Sequence, residues 1–158
     1  MSYKVFLSHS SHDQGLVRAL AHLLTQYGII VFVADWYLEP GASIDKKVFK
    51  HIDDSDCVVV FLTHNGIRSH WVNQETGYAF GAKKLIIPLV EKGTQKNELA
   101  ALNSKDYIEY DPYFPQDALY KTSTFIKSLK LKKEEQNNTL LVIGSILSFL
   151  LLLSGADR

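Results

Sequence analysis

Short runs of uninterrupted apolar residues alternate along the chain with stretches whose apolar positions recur at helical spacing. Lys4-Val5-Phe6-Leu7 predicts a first buried strand. Ser11 stands ahead of Gln14 at the spacing of a capping box, and Leu16, Val17, Leu20, Leu23, Leu24 and Tyr27 follow on one helical face. Gly28 comes where a helix end favours a residue of positive φ. Ile29 to Val33 predicts a second strand and Pro40-Gly41 a turn. Ser43 is placed to cap a short helix bearing Ile44, Val48 and Ile52. Cys57 to Leu62 reads as a third strand, and helical text runs from about Ser69 to Lys83. Leu85 to Val90 reads as a fourth strand, in which Pro88 points to a sheet edge or a strand end. Tyr107 to Tyr110 is a weak fifth strand, and a last helix runs from about Pro115 to Lys130.

Strands that are apolar at every position must be covered on both faces, which means a parallel sheet between two helical layers. The expected class is therefore α/β, a flavodoxin-like three-layer fold with a five-stranded parallel sheet. In such sheets ligands bind beyond the carboxyl ends of the strands. That rule brings Ser8 to Ser11, Asp35 to Gly41 and Thr63 to Glu75 to one edge, since each segment follows a strand.

Composition narrows the partners. The chain has 158 residues, 46% apolar and 22% charged, which suits one folded domain with a real core. Lys+Arg and Asp+Glu both number 17, so no basic excess argues for nucleic acid. One cysteine, Cys57, excludes an internal disulfide and a cysteine-based zinc cluster, and fits a reducing compartment. The N-terminus carries no long apolar stretch of signal-peptide type.

The tail differs from the body. Residues 1–130 are expected to form the domain, 131–138 a polar linker, and 139–156 an uncharged apolar helix. At about 1.5 Å per residue that last helix is roughly 27 Å long, adequate for one membrane span. Lys127, Lys130, Lys132 and Lys133 precede it and mark the cytoplasmic side. The expectation is a single-pass C-terminal membrane anchor with the domain in the cytoplasm. A buried or self-associating helix of a soluble protein is the alternative.

Three motifs carry a family resemblance. Phe6-Leu7-Ser8-His9-Ser10-Ser11-His12-Asp13 resembles the opening strand and loop of TIR (Toll/interleukin-1 receptor) domains. Leu38-Glu39-Pro40-Gly41-Ala42-Ser43-Ile44 is similar to the loop after their second strand. Ser69-His70-Trp71-Val72-Asn73-Gln74-Glu75 resembles their third-helix motif. Order and spacing match over about residues 3 to 130, closest to the bacterial and archaeal NAD-cleaving form. The resemblance implies an NAD+ glycohydrolase or cyclase that cleaves the nicotinamide–ribose bond, in signalling or antiviral defence. NAD+ is then the substrate, and no cofactor or metal is required. It implies Glu75 as the catalytic carboxylate. Ser8, His9 and Ser10 would meet the pyrophosphate, and Asp35 and Trp36 the adenine side. Ser69 and Trp71 would flank the carboxylate. Pro40 and Gly41 would belong to a loop that contacts further copies of the domain in a homo-oligomer. The other kind of member is a non-enzymatic adaptor that acts by self-association and has no need of a carboxylate at Glu75. A nucleoside deoxyribosyltransferase-like enzyme is a third reading, disfavoured by the Pro40-Gly41 loop and Trp71.

Structural alternatives accompany these roles. The structural reading of Glu75 is a solvated helix carboxylate, that of Trp71 a core anchor, and that of Trp36 packing on the sheet edge. Ser69, and the Ser8 to Ser11 turn, read also as helix caps. His51, His64 and His70 lack metal-ligand spacing and read as surface or loop residues. The acids Asp53, Asp54 and Asp56 precede the third strand and so belong at the opposite edge.

Overall fold

The computed structural model describes residues 2–34, 44–102 and 106–156, except the side chains of 44, 45, 100, 101 and 140–156. Within them the apolar runs form strands β1 (Lys4–Ser8), β2 (Ile30–Val33), β3 (Cys57–Leu62), β4 (Leu85–Glu91) and β5 (Ile108–Tyr110). They make one parallel sheet in the order β2-β1-β3-β4-β5, the doubly wound arrangement expected. The helices are α1 (Gln14–Gln26), α2 (Ile44–Asp53), α3 (His64–Ile67), α4 (His70–Gly81) and α5 (Pro115–Ala156).

Alternation along each strand explains the uninterrupted apolar text. Val5, Leu7, Cys57, Val59 and Phe61 meet Val17, Leu20 and Leu24 of α1 and Leu119 and Ile126 of α5. Phe6, Val58, Val60 and Leu62 turn the other way, onto Val48 and Ile52 of α2 and Val72 and Ala79 of α4. Each large side chain fully buried this way contributes about 1.5–3 kcal/mol. Cys57 is one of these core residues, and burial pushes its thiol up to about 12, so it is an inert packing group. Two helices are also pinned together on the second face. Phe49 of α2 stacks on Tyr78 of α4 at 4.2 Å, and the Tyr78 hydroxyl donates to Asp53 at 2.7 Å.

Several local expectations change. Ser11 does not cap the first helix: Ser10 caps a 3-10 turn, Ser11–Asp13, by accepting from the His12 N–H at 3.2 Å. Pro88 lies in an interior strand rather than at an edge. It pairs in register with Val60, and β5 joins only from Leu89 onward, so the missing N–H falls where β4 has a partner on one side alone. Ser43, expected as a cap, lies outside the described residues. The helix expected to Lys83 ends at Gly81, because Lys83 adopts φ 57 and closes the helix end. There Lys83 N–H donates to Phe80 O and Lys84 N–H to Ala79 O, the two bonds of a Schellman motif.

The polar stretch 131–138 is not a break in structure but a continuation of α5. Between Gln116 and Ile143 it holds neither glycine nor proline, and strong helix formers fill it. Lys130 donates to the Tyr27 carbonyl at the end of α1, and Lys133 pairs with Asp56 at 2.8 Å. Asp56 also accepts from the Lys4 N–H at 2.8 Å, so this acid ties α5 to the start of the sheet, opposite the strand ends discussed below. Among the described residues no helix is long and apolar enough to cross a membrane. The membrane helix expected over 139–156 is therefore not supported, and the side chains from Leu140 on lie outside the described residues.

Two substitutions test this account of the backbone. A Cβ at Gly66 would lie 1.9 Å from the Phe61 carbonyl oxygen. Gly66→Ala is expected to destabilise the fold by about 1–3 kcal/mol through overpacking. Lys83→Gly should stabilise it by about 1 kcal/mol, because glycine relieves the left-handed backbone. Urea unfolding midpoints check both, and a midpoint that rises for the first or falls for the second contradicts the geometry.

Candidate active site

The order β2-β1-β3 makes the chain leave β1 and β3 toward opposite faces, because α1 packs on one side and α4 on the other. The carboxyl ends of these adjacent strands therefore open a crevice, the place where doubly wound sheets bind ligands. Ser8 is the last residue of β1, and Thr63 follows the last residue of β3. A cleft of about 500 Å³ opens here. Its wall comes from the β1 loop (His9, Ser10, Ser11, His12), from Ala34 and Val48, from Asn65 and Arg68, and from Ser69, Trp71 and Glu75.

Glu75 is the deepest of these groups. Its place on the second turn of α4 aims it back at the sheet, and it is 3% exposed. The solvated-carboxylate reading is thereby excluded. A buried carboxylate is costly unless hydrogen-bonded. The Ser8 hydroxyl, itself fully buried, donates to Glu75 Oε2 at 2.5 Å, in the range of charge-assisted O–H···O⁻ bonds. Ser8 thus does not line the cleft as expected; it stands behind Glu75 and orients it.

Trp71, one turn before Glu75, is 49% exposed and lies on the rim, so it is no core anchor. Ser69 caps α4 by accepting from the Val72 N–H at 3.3 Å, and it lines the cleft. His9 and Ser10 are buried and line it as well. Asp35, Trp36, Pro40 and Gly41 lie outside the described residues.

A second buried pair holds the loop after β3. Thr63 Oγ1 donates to Asp13 Oδ2 at 2.5 Å, and the same oxygen accepts from the Gly66 N–H at 2.9 Å. Close by, His64 meets Glu91 twice, through its ring Nδ1 at 2.6 Å and its backbone N–H at 3.1 Å. His64 is thus a surface residue, as expected, whose ring is paired with Glu91. His51 packs its ring on Phe32 at 4.6 Å, and His70 is exposed. Burial, with the negative charges of Glu91, Asp13 and Asp111, raises the Tyr110 phenol above its ordinary value. This acidic corner flanks the cleft without lining it. Among the described residues no group of three His, Cys, Asp or Glu could hold a metal ion.

Sequence reasoning missed Arg68, Asn65 and the Asp13–Thr63 bond. The edge rule already included residues 63 to 75, and Arg68 is the one cation in that segment besides its histidines. Asp13 gave no signal, since its partner is 50 residues away.

Comparison with known proteins agrees with this geometry. A family model described as "TIR domain" matches residues 5–121. A 2' cyclic ADP-D-ribose synthase of Acinetobacter baumannii is 28% identical over 77% of this chain and 44% of its own length. An NAD(+) hydrolase of Paracoccus denitrificans is 28% identical over 64% of this chain and 35% of its own. The chain thus spans less than half the length of these curated relatives. Among solved structures, the TIR domain of the Toll-related receptor TRR-2 from Hydra magnipapillata superposes with a TM-score of 0.65. It is 16% identical over 80% of this chain and 99% of that one, a likeness of fold.

The loop after β3 gives a stability test. Thr63→Val removes the donor to buried Asp13 and the acceptor for Gly66, and is expected to cost about 2–3 kcal/mol. Thr63→Ser keeps both bonds and should cost less than half as much. A larger loss in urea denaturation for Thr63→Ser than for Thr63→Val would show that the methyl group, not the hydroxyl, matters.

Proposed function

We propose that this chain, which belongs to the TIR domain family, cleaves NAD+ at the bond between nicotinamide and ribose, with Glu75 as its catalytic carboxylate. The observation that carries the proposal is a buried, serine-oriented glutamate in the wall of a cleft at the sheet's switch point. The relatives named as an NAD(+) hydrolase and a 2' cyclic ADP-D-ribose synthase supply the substrate class.

The chemistry suits a single carboxylate. Nicotinamide is attached to ribose as a cationic pyridinium. When the C–N bond breaks, the bonding pair stays on the ring nitrogen, and a neutral molecule leaves without a proton. Positive charge moves to the ribose as an oxocarbenium-like centre, as in glycoside cleavage. A fixed anion beside that centre lowers the barrier, the more so because a buried site screens little. Ser8 keeps Glu75 oriented before substrate arrives, and Trp71 on the rim offers an aromatic face to the departing ring. Water then adds to the ribose carbon and releases a proton, giving ADP-ribose. Capture by a nucleophile of the same molecule gives a cyclic form.

Two further parts of the reading rest on sequence. The loop with Pro40 and Gly41 is proposed to join copies of the chain into the active homo-oligomer. Residues 139–156 are proposed to anchor it in a membrane, with the domain on the cytoplasmic side.

Purified protein at high concentration, mixed with NAD+, is expected to release nicotinamide, and Glu75→Gln to lower the rate by about a hundredfold or more. Release that survives the substitution removes Glu75 from the mechanism. No release by the unaltered chain at any concentration favours the adaptor. For the anchor, the full chain should sediment with membranes while a chain ending at Asn138 stays in the supernatant. Equal partition of the two argues against it.

A further inference from the structure

Arg68 is the fixed cation of the cleft, and Glu75 is the one carboxylate among the described residues that line it. Glu75 is already engaged by Ser8. Arg68 is exposed and forms no ion pair or side-chain hydrogen bond among the described residues. Its backbone, by contrast, is held firmly. The Asn73 side-chain amide donates to the carbonyls of Ile67 and Ser69 on either side of it, at 3.2 and 2.9 Å. The Ser69 N–H donates to the Gly66 carbonyl at 3.1 Å, and Ser69 caps the helix that follows. A guanidinium stays charged at any physiological pH and offers a planar fork of donors that fits phosphate oxygens. Holding its backbone in advance reduces what must be ordered on binding.

We propose that Arg68 is the phosphate-recognising residue of the cleft, and that it makes the site select phosphate-bearing nucleotides over bare nucleosides. The proposal rests on the reading of this cleft as the place where NAD+ is cleaved, and it assigns the pyrophosphate of that substrate to Arg68. The reacting ribose then lies inward toward Glu75. Arg68 touches a part of the substrate that does not react, so it contributes to affinity and orientation rather than to bond breaking.

ADP and adenosine separate the phosphate from the rest of the ligand without any need for cleavage. Calorimetric titration of ADP should show binding to the unaltered chain, weakened by about ten- to a hundredfold in Arg68→Gln. Arg68→Lys should fall between them, and the affinity for adenosine should not change. In turnover, Arg68→Gln should raise KM for NAD+ with little change in kcat, and leave kcat/KM for nicotinamide riboside unaltered. ADP that fails to bind the unaltered chain, or binds Arg68→Gln as tightly, overturns the proposal. So does an equal loss for NAD+ and nicotinamide riboside. If ADP binding depends on Arg68 while the unaltered chain releases no nicotinamide, the phosphate site stands and the cleavage reading alone fails.

Discussion

Both faces of the sheet must be covered, and the rest of the molecule follows from that demand. A strand such as Cys57 to Leu62, apolar at each position, cannot leave either side in water. Helices have to leave neighbouring strands toward opposite layers. Where β1 and β3 part company, no helix can close the gap between them, and the crevice at their carboxyl ends is the result. The site is thus a by-product of the core. Glu75 is carried on the same buried helix face as Val72 and Ala79, which are committed to that same core.

The fold was readable because it depends on hydrophobic periodicity, and this chain's periods are clean. The run from Cys57 to Leu62 became a strand with those same bounds. What was misread has local causes. Pro88 was taken for an edge signal, but a strand can be interior in the sheet and still one-sided at a given residue, which depends on where its neighbour begins. Lys83 stopped α4 in a conformation that glycine normally supplies, so no sequence signal marked the end. The linker expected at 131–138 was inferred from polarity, yet polar residues of high helix propensity simply prolonged α5.

The site divides in the same manner. Glu75, Trp71 and Ser69 could be placed together because they share one helix and its cap, where spacing settles proximity. The Ser8–Glu75 bond spans 67 residues and the Thr63–Asp13 bond 50, and neither spacing nor composition reports on such contacts. Ser8 shows how a role shifts once depth is known. It was expected to meet the ligand, but its hydroxyl instead donates to the buried Glu75 carboxylate. Arg68 was passed over because a lone arginine between two short motifs has no pattern of its own. Only the absence of an ion-pair partner among the described residues distinguishes it.

The continuity of α5 has a mechanical meaning. The helix is fastened to the domain at Lys130 and Lys133, and its backbone stays helical to Ala156. Beyond those fastenings, each added or deleted residue would advance its far end by about 1.5 Å and rotate it by about 100°. The direction in which the distal end faces, relative to those fastenings, therefore depends on the number of residues between them. The helix acts as a calibrated spindle, and its length in residues is an angle as well as a distance.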